Sequence, residues 1–202
     1  MESTGCPRTS AVDRNLNAQR LLLVFFVCIF LFLPGCSTKP VITSAEYSRY
    51  EGEINQHARL IRADRHRIFR ILTNEDTFKA ICPQGTIVTY EAPLPYRTGT
   101  FVHTKIEHIF KLTWRSRVEE VISDHTIRLQ FLDGFFAGGT ELWKIEPEDA
   151  CTRVTHTIIV RPRGLFKKLA WSLKVRRKHD KMLEALLDNL KHLAETETSG
   201  EK

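Results

Sequence analysis

Residues 164 to 194 are the one stretch of this 202-residue chain where apolar side chains keep helical spacing over many turns: Leu165, Leu169, Trp171, Leu173, Val175, Met182, Leu183, Leu186, Leu187, Leu190 and Leu193. What precedes it reads differently. A strand over about 53–63 leads to two short helices, about 64–72 opened by Asp64 and about 74–81 opened by Asn74. Six strand-length segments follow, at about 86–92, 99–110, 112–122, 125–132, 139–146 and 152–161, separated by turn-forming stretches such as "APLPYRTG" and "DGFFAGG". A sheet of that size has one face that needs cover, and only the last helix is long enough to give it. With 42% hydrophobic and 27% charged residues, the chain has the makings of one core and reads as a single α+β domain.

This order, with "GGTELWKIEP" at 138–147 and the closing "RRKHDKMLEALLDNLKHLAE" at 176–195, resembles the START-like SRPBCC superfamily. That group is similar in fold to the birch-pollen allergen and includes polyketide cyclase/dehydrase-like, lipid-transfer and coenzyme Q-binding proteins. The resemblance covers about residues 53–195. It implies a START-like helix-grip fold: a curved seven-stranded antiparallel sheet wrapped around a long C-terminal helix, with two short helices after strand 1. The space between sheet and helix is then the default ligand site.

Period-2 alternation assigns the inner face. Val102, Thr104, Ile106 and His108 alternate with Phe101, His103, Lys105 and Glu107; Trp114 and Ser116 alternate with Arg115 and Arg117; Leu129 and Phe131 face in with Ile127; His156 and Ile158 face in with Val154 and Val160. These ten, Val102, Thr104, Ile106, His108, Trp114, Ser116, Leu129, Phe131, His156 and Ile158, are the candidate cavity residues. His156 and His108 are the inward polar groups able to orient a ligand. The strand that holds Leu142 and Trp143 stays ambiguous, because a bulge near Gly138 and Gly139 resets its register.

No HExxH, CxxC, GxSxG, Walker loop or GxGxxG occurs, and Glu119 and Glu120 point to opposite faces of a strand. No catalytic residue, cofactor or metal ligand is assigned. The reading is therefore a binding protein for a hydrophobic small molecule, a lipid or isoprenoid. The alternatives are a cyclase/aromatase-like enzyme using the same pocket and a structural lipoprotein with a filled cavity.

At the other end of the chain, arginines at 8, 14 and 20 precede an uncharged run from Leu21 to Leu33. Thirteen residues make about 20 Å of helix, short of the roughly 20 residues a bilayer core needs, so the run has the length of a signal's apolar region. Leu33-Pro34-Gly35-Cys36 resembles the bacterial lipoprotein box, which implies a signal over 1–35, acylation of Cys36 and a polar tether over 36–52. The alternative is an uncleaved N-terminal membrane anchor. A cell-envelope location is expected, on the outer membrane facing the periplasm in a Gram-negative source, or on the inner membrane for an uncleaved anchor. Residues 196–202 read as a disordered tail. Cys82 and Cys151 are expected to be free thiols, lying at opposite ends of the sheet.

Net charge is +6, and nine of the 21 residues from Arg161 to Lys181 are positive. Arg161, Arg163, Lys167, Lys168, Lys174, Arg176 and Arg177, interleaved with Leu165, Phe166, Leu169 and Trp171, form a candidate membrane-facing patch. A solvated basic helix face is the plainer reading of the same residues. Expected partners are the hydrophobic ligand and a membrane reached through acylated Cys36. Nucleic acid is not expected, and the chain is expected to be a monomer.

Overall fold

A computed structural model describes residues 50–107 and 111–196. Its elements run β1 (Glu53–Ile61), α1 (Arg65–Thr73), α2 (Glu75–Ile81), β2 (Thr86–Glu91), β3 (Phe101–Ile106), β4 (Leu112–Ile122), β5 (Thr126–Phe131), β6 (Thr140–Glu148), β7 (Cys151–Val160), α3 (Leu165–Ala170), a π-helical segment (Trp171–Val175) and α4 (Arg176–Thr196). The seven strands form one antiparallel sheet in the order β1-β7-β6-β5-β4-β3-β2. This is the helix-grip fold: a curved seven-stranded antiparallel sheet, a long C-terminal helix, and two short helices after strand 1.

The short helices carry the chain from one sheet edge to the other, and local chemistry starts both. The Asp64 side chain accepts from the Arg67 N–H, and the Asn74 side chain accepts from the N–H groups of Asp76 and Thr77, each supplying an acceptor for donors a first turn leaves open. From β2 onward the strands form a meander that brings β7 back beside β1, with His57 opposite His156. Glycine sets the turn between β5 and β6. At Gly134 (φ +72°) a Cβ would lie 2.5 Å from the Thr113 carbonyl oxygen, and at Gly139 a Cβ would lie 2.5 Å from that of Ile159.

The core divides in two. The larger part joins α1, α2 and the inner sheet face to Leu186, Leu187, Leu190 and Ala194 of α4. The smaller gathers Ile106, Trp114, Phe131, Phe136, Ile158, Val160, Trp171 and Val175. Asn189 Nδ2 donates to the Ile81 carbonyl across 3.0 Å, tying α4 to α2.

The C-terminal helix runs without a break from Leu165 to Thr196, as its spacing predicts, but its winding is not uniform. In the π-helical segment the Arg176 N–H donates to the Trp171 carbonyl, five residues back, so one extra residue is taken into a turn. Traced back from Leu183 at about 100° per residue, a uniform α-helix would place Ser172 and Leu165 close to the inner line and Trp171 about 120° off it. The wider turn brings Trp171 inward, fully buried, where its Nε1 donates to Glu53 Oε2 at 2.9 Å. Leu165, Phe166, Leu169 and Leu173 are left exposed.

Differences elsewhere lie at element ends. β1 stops at Ile61, and β3 stops at Ile106 where a strand to 110 was expected. Tyr50, within the expected tether, packs on a small outer cluster of Ile54, Leu142 and Ile159. Residues 1–49, which include the expected signal and Cys36, and residues 197–202 of the expected tail lie outside the described residues. Among the described residues no helix is long and apolar enough to cross a membrane.

Candidate functional site: a small cavity and a polar seam

The space between the sheet and α4 is a cavity of about 70 Å³. Its wall is mainly apolar, built from β2 to β7, α1, α2 and the Met182-Leu183-Leu186 face of α4. Six of the ten cavity candidates line it: Val102, Thr104, Trp114, Leu129, His156 and Ile158. Ile106 lines a neighbouring void of about 30 Å³, with Trp114 and Met182 shared between the two. Ser116 and Phe131 are buried on the same sheet face but do not line either space; Phe131 packs against Trp114 and Phe136 instead. His108 lies outside the described residues.

The register of β6 adds two groups that alternation did not assign. Glu141 lies opposite Ile158 and Trp143 opposite His156, so both face the cavity, while Leu142 turns to the outer face. Trp143 Nε1 donates to Glu141 Oε1 at 2.8 Å, and His156 Nε2 lies 3.2 Å from the same oxygen. A carboxylate held between an indole and an imidazole, in an apolar wall, can accept from a ligand's hydroxyl or pass a proton. His156 Nδ1 is buried without a hydrogen-bond partner. At the α2 end, burial pushes the Cys82 thiol up to about 12, and burial likewise raises the Tyr90 phenol, whose hydroxyl donates to the Leu72 carbonyl. Cys82 and Cys151 are both free.

Beside the cavity, along β1, the inner face is polar. Asn55, His57 and Arg59 point toward α4 and meet Asp180, Glu184 and Asp188, spaced four residues apart on one helix face. Arg59 Nη2 lies 2.6 Å from Glu184 Oε2 and 2.9 Å from Asp188 Oδ1. His57, together with Arg59, holds the Glu184 carboxyl below its ordinary range against a smaller opposing effect of desolvation. His179 is enclosed by the rings of His57, His156, Phe136 and Trp171, with ring centres 6.1 to 6.2 Å away. Burial first, and then the two neighbouring imidazoles, push its pKa well below the ordinary histidine value, so it is neutral at pH 7.

Sequence reasoning missed this seam for a physical reason. Ile54, Ala58 and Leu60 of β1 face outward and only Ile61, at its end, joins the core, so hydrophobic alternation points the wrong way over most of the strand. The usable signal was the match between Asn55, His57 and Arg59 at strand spacing and Asp180, Glu184 and Asp188 at helix spacing.

The basic patch lies at the α3 end. Arg161, Arg163, Lys167, Lys168, Lys174, Arg176 and Arg177 are all exposed. Arg161, Arg163 and Lys167 line a surface cleft of about 260 Å³ with Leu132 and Phe135. Next to it, Leu112, Phe135, Phe166, Leu169 and Leu173 line an apolar trough of about 480 Å³. Arg161 is paired with Glu51 at 2.5 Å.

No family model matches the chain, and no curated protein matches it. Solved structures do share its fold. A protein from Thermus thermophilus is 21% identical over 69% of this chain and 94% of its own, with a TM-score of 0.57. The ginseng major latex-like protein from Panax ginseng is 10% identical over 70% and 97%, with a TM-score of 0.58. A norcoclaurine synthase point mutant from Thalictrum flavum, in complex with a transition-state analogue, is 14% identical over 72% and 96%, with a TM-score of 0.53. These place the chain in the START/Bet v1-like fold.

Proposed function

We propose that this chain is a membrane-anchored binding protein that holds a hydrophobic small molecule, a lipid or isoprenoid, between its sheet and α4 and meets a bilayer through α3. The observation that carries the reading is the exposed stripe of Leu165, Phe166, Leu169 and Leu173, 52 to 88% exposed, set among seven exposed lysines and arginines. Four large apolar side chains in water, ringed by cations, have the composition of an interfacial helix facing anionic lipid. The cationic cleft fits a phosphate headgroup and the adjoining trough an acyl chain. Acylation of Cys36 would hold the domain at a cell-envelope membrane and keep the stripe within reach of it. Another protein of this fold, the norcoclaurine synthase, holds a small molecule.

The cavity volume favours a second reading. Small-molecule sites usually measure about 300–1,000 Å³, and 70 Å³ is far below that. In the binding reading the grip opens when a ligand enters, with Met182 and the π-helical segment giving way. In the second, the cavity is simply core and the domain is an interaction module. Native mass spectrometry of the full-length protein, purified in detergent and again after exposure to lipid vesicles, separates them. A bound apolar molecule, or Trp fluorescence quenched by one, is the expected result. An empty protein that takes up nothing from either source leaves the second reading standing.

A further inference from the structure

We propose that the seam between β1 and α4 is a binding site for a divalent transition-metal ion of the zinc type, with His57, His179 and Asp180 as its protein ligands. Each offers one donor atom, and the three atoms lie within 4.8 Å of one another, although His57 is 122 residues from His179 in sequence. In a tetrahedral centre with bonds of about 2.0–2.1 Å, donor atoms lie about 3.3 Å apart. His57 Nε2 and Asp180 Oδ1 are already at 3.2 Å. The His57 and His179 ring centres, 6.2 Å apart, would need to close to about 5 Å, the separation two imidazoles have on one such ion.

The hydrogen bonds around His57 ask for a cation. Its Nδ1 lies 2.7 Å from Glu184 Oε1, a carboxylate oxygen that only accepts, so the ring donates there. On the other side, Nε2 faces Asn55 Oδ1 at 2.8 Å and Asp180 Oδ1 at 3.2 Å. The amide cannot turn to donate without losing its own bond, because Asn55 Nδ2 donates to Asp180 Oδ1 at 2.7 Å. The Nε2 lone pair of a neutral His57 would thus point at two acceptors. A second proton on His57 would relieve that contact alone. It would leave His179 Nδ1, on a side chain 91% buried, without any hydrogen-bond partner. An ion in the seam would give His57 Nε2 the cation it faces and would engage a ring nitrogen of His179 as well. Glu184, held from its far side by Arg59, then has the place of a carboxylate that orients a ligating histidine. Three protein ligands leave a fourth position open on the side of Asp180, whose side chain is partly exposed.

The test uses the full-length protein in detergent, without a polyhistidine tag, stripped with chelator and titrated with Zn²⁺ by calorimetry and with Co²⁺ by visible absorption. One ion per chain is expected, with the Co²⁺ bands of a low-coordinate nitrogen and oxygen site. His57→Asn and Asp180→Asn should each weaken binding by at least the about 10- to 100-fold that losing an outer-shell partner costs, while His66→Asn, in an exposed pair with Asp124, should not. Asp180→Asn alters a partly exposed side chain, so it decides the matter if His57→Asn fails to fold. Folded wild-type protein with no saturable binding, or a Co²⁺ spectrum unchanged in Asp180→Asn, would overturn the proposal.

Discussion

The two halves of the C-terminal helix bury their apolar side chains in different places. In α4, Leu183, Leu186, Leu187 and Leu190 all face the sheet and the short helices and are almost wholly buried. In α3 and the π-helical segment only Trp171 and Val175 are buried, and four large apolar residues face out. An amphipathic helix in a soluble domain turns its apolar stripe to the core. The α4 half obeys, and the α3 half carries a stripe the domain does not use. The same polypeptide therefore serves fold stability at one end and is left available to an outside surface at the other.

Truncation is the strongest way to break this comparison. Leu187→Ala should cost about 2–5 kcal/mol in chemical denaturation, because Leu187 is fully buried and a cavity would remain. Phe166→Ala, 88% exposed, should change stability by less than about 0.5 kcal/mol. Equal losses would mean that α3 belongs to the core after all. Next in size, the backbone amides of residues 164–175 should gain hydrogen-exchange protection when the full-length protein is reconstituted in anionic vesicles, and not in neutral ones. Replacing Leu165 and Phe166 together by Ser should remove that protection, since each buried side chain of this kind contributes on the order of 1.5–3 kcal/mol. Lys167→Gln and Lys168→Gln sharpen the point at lower amplitude, at about 1 kcal/mol of lipid affinity each, or roughly fivefold.

The smallest effect probes the closed side of the grip. With its folded pKa raised to about 12 from an ordinary 9.0, Cys82 stays a neutral thiol while a free cysteine ionises. The stability this group lends is present below pH 9 and fades as pH climbs toward 12. Between those values, alkylation of Cys82 in the folded chain should lag behind that of an unfolded control, and an apolar ligand should slow it further. Reaction of Cys82 at the unfolded rate would show that the grip opens freely.

How much of this could be read from sequence depended on which force set each side chain's direction. Along β3, β4 and β5 one face is more closely packed than the other, so alternation identified the buried set, including Trp114 and Leu129; β7 is buried on both faces from Val154 onward, and there the inner set with His156 was marked by the alternation with Arg153, Thr155 and Thr157 instead. At β6 the direction is set by how closely Gly139 approaches the Ile159 carbonyl, which hydrophobicity does not encode, and Glu141 and Trp143 were left open. On β1 ion pairs replace packing, so the apolar pattern carried no signal for Asn55, His57 and Arg59, which received no assignment. The C-terminal helix was legible as a helix, but not its two faces, because hydrophobic spacing counts residues and a π-helical turn inserts one. The element order was strong enough to imply the fold; the cavity's size was not, since it depends on how side chains from nine elements interlock.

That extra residue between Trp171 and Val175 has a genetic consequence. Loss of a single codon there would restore regular winding and leave everything upstream facing as it does now, because the wide turn already absorbs one residue. The stripe would still look outward and Trp171 inward, with no change in their own sequence. The smallest in-frame insertion a gene can acquire is in this way taken up by one wide turn, and the helix on either side of it keeps the face it had.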